Sequence, residues 1–123
     1  MKLATTYGAI LGMVLENLRE DAGVTQAQMA ERVGIAASTW SRVENGRQTA
    51  SIDQVALAAA ELGVSPGDIV GRADAVRAEI ARVAHVEIGR MDAASAVESG
   101  LALVDRATLR ELARMSKGRE KRR

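Results

Sequence analysis

The sequence has no cysteine and no phenylalanine, and only one tryptophan, one tyrosine and one histidine among 123 residues. Without cysteine there is no disulfide, no thiolate nucleophile and no thiolate zinc site, which fits a reducing compartment. With two aromatic side chains in all, a core must be built from Ala, Val, Leu, Ile and Met. Apolar residues make up 47% of the chain, enough for such a core, and Ala and Leu favour helix. No apolar run approaches the roughly 18 residues that would span a bilayer. The stretch from Ala9 to Leu15 is short, is interrupted by Gly12 and lies behind a single lysine, Lys2. It reads as a helix rather than a secretory signal, so a cytoplasmic protein is expected, associated with the nucleoid when bound to DNA.

Catalytic groups are equally scarce. His85 is the only histidine, and Gly89 occupies the position four residues on where a second metal ligand would stand on a helix. Gly63 and Gly67 fit neither the Walker nor the dinucleotide-binding spacing. No pair of carboxylates stands out as one that burial would perturb. No catalytic residue, no metal and no cofactor are expected, and the chain does not read as an enzyme.

Charge is unevenly placed. Residues 1–70 hold five basic and eight acidic side chains, a net −3, whereas residues 71–123 are net +4. The last ten residues contain Arg114, Lys117, Arg119, Lys121, Arg122 and Arg123 against Glu120 alone. A polyanionic partner would therefore have to meet a local basic face, because the first half is not basic as a whole.

Periodicity divides the chain into helices. Ile10, Leu11, Val14, Leu15 and Leu18 lie on one face of a first helix from about Thr6 to Ala22, stopped by Gly23. A second opens at Thr25, where Thr25 and Gln28 have the spacing of a capping box; Met29, Ala30 and Val33 face inward and Gly34 ends it. After a link of two residues a third helix covers Ala37 to Glu44, with Trp40 and Val43 inward, and Asn45-Gly46 marks its end. A fourth begins at Ser51, again with Gln54 three residues on, and carries a stripe of Ile52, Val55, Ala59 and Leu62. Ser65-Pro66 starts a short fifth helix, from which Ile69 and Val70 would pack. Beyond Gly71, Arg72 to roughly Ile88 reads as an amphipathic helix with Val76, Ile80 and Val83 inward, although Ala84 to Gly89 also alternates as a short strand would. A weaker helix is expected over Asp92 to Ser99. Another, capped by Asp105, carries Leu109, Leu112 and Met115. Lys117 to Arg123 has almost nothing to bury and reads as a disordered basic tail.

Two short helices joined tightly at Gly34 carry the functional signal. Arg19, Gly23, Thr25-Gln26, Met29-Ala30, Val33-Gly34-Ile35, Ser38-Thr39-Trp40-Ser41, Glu44-Asn45-Gly46, Ser51, Val55, Ala59, Leu62-Gly63-Val64 and Ile69 stand at the offsets of a known pattern. Over residues 8–70 the chain resembles the lambda-repressor and Cro, or XRE-like, helix-turn-helix family. The resemblance implies a five-helix all-α DNA-binding domain, here residues 6–70; periodicity and composition add a helical C-terminal extension over residues 71–116 and the tail at 117–123, so the expected fold is all-α. It implies a transcriptional regulator whose third helix enters the major groove of double-stranded DNA. By similarity, Ala37, Ser38, Ser41 and Arg42 would face base edges, Arg42 as a bidentate partner for guanine. Gln26, Thr39, Asn45 and Arg47 would meet phosphates, and Arg19 and Glu44 would form a structural ion pair. One departure is Ala36, where the family usually has a Ser or Thr cap; its absence should weaken the start of the third helix by about 1 kcal/mol.

Plainer readings stand beside these. Arg42 is also what an ordinary solvated surface residue looks like, and Gln26 is also what a residue completing a helix cap looks like. Trp40 reads as a core anchor rather than a stacking platform. The C-terminal stripes can pack on the first domain, join two copies, or hold a partner protein. A homodimer through residues 72–115, acting as a repressor on a palindromic site, is the preferred expectation; an antitoxin or other interaction module gripping a protein partner is the alternative. The basic tail either adds non-specific DNA affinity or simply solubilises the end of the chain.

Overall fold

The computed structural model describes residues 2–83, 86–89 and 101–121. Its elements in chain order are β1 (Lys2–Thr5), α1 (Tyr7–Asp21), α2 (Gln26–Val33), α3 (Ala37–Glu44), α4 (Ile52–Leu62), α5 (Pro66–Val83), β2 (Val86–Ile88), β3 (Leu101–Leu103) and α6 (Arg106–Lys121). The fold is mostly helical, with the expected five-helix domain and helical extension. To these is added a small sheet that an all-helical reading omits.

Every helix except α3 begins where a local side chain satisfies a free N–H group. Thr6 accepts from Ala9 N at 3.0 Å. Thr25 with Gln28 and Ser51 with Gln54 form complete capping boxes. Ser65 accepts from Asp68 N at 3.0 Å. At the start of α6 Asp105 accepts from Thr108 N at 2.7 Å, and this bond holds its carboxyl below the usual carboxylate range. At the α2–α3 corner, Gly34 takes φ +81°, a left-handed conformation that costs glycine little and other residues more. That corner lets α3 cross α2 after only Ile35 and Ala36.

The core runs through all of these elements. Ile10, Met13 and Leu15 of α1 meet Met29 of α2, Trp40 of α3 and Val55 of α4, all essentially inaccessible. Gly12 lets α1 lie directly on α3: a Cβ there would stand 2.1 Å from the Val43 carbonyl oxygen.

Beyond residue 65 the structure departs from the periodicity reading. The two helices expected on either side of Gly71 are one continuous helix, α5. An interior glycine costs a helix about 1 kcal/mol, but Ile69, Ala73 and Ile80 are buried and Val76 packs against the core. One stripe therefore runs through Gly71. The expected helix to Ile88 stops at Val83, and the alternating segment after it provides β2. β1 is the central strand of a three-stranded parallel sheet in the order β2-β1-β3. Leu3 pairs with Val86 and with Ala102, and Ala4 with Glu87 and with Leu103. Ala4 and Thr5 are buried, so the sheet is part of the packed structure. It ties the residues that precede the five helices to those that follow them.

Other differences are local. Ile52, expected in the α4 stripe, is 72% exposed, because it occupies the first helical position and the buried stripe is Val55, Ala58 and Ala59. Val70 likewise lies on the outer side of α5. Helix α6 continues to Lys121, so residues 117–121, expected without structure, extend it; Lys, Arg and Glu are good helix formers once a helix is nucleated by packing. The helix expected over Asp92–Ser99, His85, Arg122 and Arg123 lie outside the described residues. Among the described residues no helix is long and apolar enough to cross a membrane.

The described part of the C-terminal stripe packs within the chain, and the Val83 and Met115 side chains lie outside the description. Ile80 of α5 and Leu109 and Leu112 of α6 are buried in the same core as α1, and Arg110 of α6 pairs with the fully buried Glu16 of α1. These side chains, expected to serve a second copy or a partner protein, are occupied internally.

The α1–α3 contact gives a direct test. Gly12→Ala should destabilise the protein by about 1–3 kcal/mol, the range for overpacking a tight interior. Urea unfolding measures this, and an unchanged midpoint would contradict the close approach.

Candidate nucleic-acid interface

The site is organised by one carboxylate. Glu44, the last residue of α3, is 1% exposed. Arg19 of α1 donates to it twice, from Nε at 2.6 Å and Nη2 at 3.0 Å. Trp40 Nε1 donates at 2.6 Å and Gln26 Nε2 at 2.8 Å. Four donors meet two carboxylate oxygens, which fills the acceptor capacity of the group. Arg19 Nη1 also donates to the Val24 carbonyl at 2.8 Å, fixing the α1–α2 link. The bidentate bond to Glu44 raises the already high pKa of Arg19, against the opposing effect of burial, and keeps it charged. One network thus joins α1, the first residue of α2 and the inner side of α3.

With Trp40, Val43 and Glu44 turned inward, the opposite side of α3 is presented outward. Ala37, Ser38 and Arg42 are exposed, and Thr39 and Ser41 are half-buried. The loop after α3 folds back onto it: Arg47 N donates to the Arg42 carbonyl at 2.9 Å, and Asn45 Nδ2 to Ser41 Oγ at 3.4 Å. Asn45 and Arg47 are exposed beside the helix. Residues 37–51 contain one carboxylate, Glu44, and it is neutralised by Arg19. Arg42 and Arg47 are therefore the local charge. Arg32 on α2 is instead engaged with Glu61 at 3.3 Å.

Of the residues expected to act at this surface, Ala37, Ser38, Thr39, Ser41, Arg42, Asn45 and Arg47 fall on α3 and the loop that follows. Gln26 is set apart from them. Its amide is directed to Glu44, while the α2 cap is completed by Gln28. One of its two N–H donors is committed to the network. Trp40 lies four residues before Glu44, on the same helical face, so spacing alone was a usable sign of their bond. Nothing in the spacing indicated Gln26, whose partner is 18 residues away. Helix α3 starts at Ala36 with no side-chain cap.

Two short helices crossing at a glycine corner, the second held from behind and open in front, define a helix-turn-helix domain. The helix-turn-helix domain family matches residues 10–70. Two crystal structures of the clp gene regulator ClgR from Corynebacterium glutamicum are similar at 30% identity and a TM-score of 0.53. One match covers 56% of this chain and 90% of that one, the other 63% and 88%. An HTH_3 family transcriptional regulator from Vibrio cholerae has a TM-score of 0.50 at 19% identity, over 59% of this chain and 42% of that one, a likeness of fold alone. A comparison with curated proteins found no match. The chain belongs to the XRE-like helix-turn-helix transcriptional regulators, and it is a DNA-binding regulator in class. Residues 71–123 lie beyond the family match.

Two substitutions test how the site is held. Glu44→Ala strands the buried Arg19 guanidinium and should cost about 3–5 kcal/mol, as breaking one side of a buried pair does; a loss below 1 kcal/mol in denaturant unfolding would contradict the network. Ala36→Ser supplies the absent cap in an extended backbone that already suits it, and should raise stability by about 1 kcal/mol, read as a higher melting temperature.

Proposed function

We propose that this protein is a sequence-specific repressor that binds a palindromic operator as a homodimer, laying α3 of each copy in the major groove. Ala37, Ser38, Ser41 and Arg42 read base edges, and Gln26, Thr39, Asn45 and Arg47 contact phosphates. The observation that carries this reading is the outward side of α3. Among the described residues the C-terminal half packs chiefly on α1 and α5, and Arg42, exposed on this side of α3, has no carboxylate partner. A guanidinium free of internal pairing can offer two parallel N–H donors to guanine O6 and N7. The hydroxyls of Ser38 and Ser41 suit donors or acceptors alike, and the Ala37 methyl suits a thymine methyl.

The two-copy arrangement follows from the economy of reading two half-sites one helical turn apart. Since Ile80, Leu109 and Leu112 are buried within the chain, the large apolar side chains exposed to a second copy among the described residues are Ile52 and Leu57 of α4 and Val70 of α5. The same burial removes the main reason to read residues 72–115 as a grip for a protein partner. The chemistry of the site calls for no catalytic step and no cofactor.

The test begins by selecting duplexes from a random-sequence pool with the full-length chain and footprinting the winner. Wild type should protect an inverted repeat. Arg42→Ala should leave the melting temperature unchanged and reduce discrimination between selected and scrambled duplex by about 1–3 kcal/mol, or roughly 5- to 150-fold. Undiminished discrimination would overturn the assignment of Arg42.

A further inference from the structure

The chain contains two asparagines, Asn17 followed by Leu18 and Asn45 followed by Gly46, and their chemistry differs. An asparagine loses its amide when the backbone nitrogen of the next residue attacks the side-chain Cγ, which makes it one of the thermolabile residues. A side chain on that next residue crowds the attack, and glycine has none. Position sharpens the difference. Both asparagines are exposed, but Asn17 lies inside α1, whereas Asn45 is the C-cap of α3, at a helix end of the kind that frays. The labile dipeptide therefore stands beside the recognition helix.

In the folded chain the reaction is latched. Asn45 has ψ −1°, which turns the Gly46 nitrogen toward the Asn45 nitrogen and away from Cγ. Gly46 N also donates to the Val43 carbonyl at 3.1 Å. Gly46 takes φ +76° and lies against α1, where a Cβ on it would stand 2.8 Å from Ala9 Cβ. Bringing Gly46 N onto Cγ needs a large rotation of the Asn45 ψ, so the Val43 bond must break and Gly46 must leave Ala9. The latch is closed by a single turn: Arg47 N and Gln48 N both return to the Arg42 carbonyl, at 2.9 and 3.3 Å. Residues 47–49 are exposed. An exposed turn of this kind opens at a lower free-energy cost than the whole domain.

We infer that Asn45 is a self-modification site that switches off DNA binding as the molecule ages. When the turn opens, Gly46 N attacks Asn45 Cγ. The N–Cγ bond forms, the Cγ–Nδ2 bond breaks, and the Gly46 proton leaves with the amide as ammonia. Water then opens the succinimide at either carbonyl, leaving an aspartyl or an isoaspartyl residue at position 45. Both products carry a new carboxylate three residues after Arg42 and two before Arg47. Glu44, the one carboxylate in residues 37–51, is neutralised by Arg19, so the modification puts a negative charge between the two arginines that give this surface its charge. A negative charge there repels phosphate. The isoaspartyl product also adds a backbone methylene inside the turn that Arg47 N and the Arg42 carbonyl close. The chemical step is independent of the DNA-binding reading of α3, and its consequence rests on that reading.

The experiment incubates the full-length protein in mildly alkaline buffer, folded and, in parallel, in denaturing urea, and follows deamidation by peptide mass mapping. Conversion should fall on Asn45 and spare Asn17 in both samples, and should run slower in the folded chain by roughly 10-fold or more. Converted wild type should bind a mixed-sequence duplex and the duplex chosen by selection more weakly, each by about 10-fold, with the slope of log affinity against log salt reduced by about 1. Asn45→Asp should show that loss when freshly made. Asn45→Gln, whose longer side chain does not close the five-membered ring, should lose none of its starting affinity during the same incubation. A folded chain that keeps its amide over a far longer incubation than the urea sample needs would overturn the inference. So would Asn17 reacting as fast as Asn45, or converted protein with undiminished affinity. Failure of the α3 reading looks different: fresh wild type would bind neither duplex, whatever the mass at position 45, and the proposed consequence would fall with it.

Discussion

The arrangement of the recognition surface depends on the buried carboxylate of Glu44. A charge removed from water must be paired and fully hydrogen-bonded, and here four donors from three residues converge on it. Each comes from a different part of the domain: Arg19 from α1, Gln26 from the start of α2, and Trp40 from α3 itself. Satisfying one anion therefore fixes the angle of α3 against two other helices. Such a pair is weak evidence of net stabilisation, because desolvation offsets much of the Coulomb attraction. Its effect is on geometry. A planar guanidinium gripping a planar carboxylate admits few orientations, and the helix that carries the carboxylate is constrained with it.

A second set of constraints comes from the other end of the chain. The parallel sheet and α6 close around α1, the helix that already holds α3 through Arg19. Glu16 and Glu20 face α6 while Arg19 faces α3, so α1 carries opposite charges toward its two neighbours. Gly12 then seats α1 tightly on the Val43 carbonyl. The described part of the C-terminal half braces the domain through α1 and α5, and the outward side of α3 stays exposed.

The helix-turn-helix core was legible because its signals are local. Thr25 and Gln28, Ser51 and Gln54, and the Gly34 corner act within four residues, and the folded chain uses each as its spacing suggests. Arg19 and Glu44, 25 residues apart, were suggested only by family resemblance, and in the structure they lie 2.6 Å apart. The misread parts depend on distant partners. Lys2–Thr5 is too short to show a period, and its neighbours in the sheet come from residues 86–88 and 101–103. Gly71 looked like a boundary by composition, yet the stripe from Ile69 to Ile80 outweighed one glycine. The bond from Gln26 to Glu44 was not legible either, because a residue at a helix start has several local uses and this one is set by a tertiary contact. The outward side of α3 was nameable from the sequence, whereas the packing of α6 on α1 and α5 was not.

The central position of β1 bears on the order of assembly. Its partners are more than 80 residues away in sequence, so pairing must close a loop containing all of the first five helices, and closure of that size is entropically late. Contacts inside the helical domain are far shorter in range. During synthesis Lys2 to Thr5 must wait for partners made more than 80 residues later. The strand at the centre of the sheet is thus locked in place after the helices it precedes.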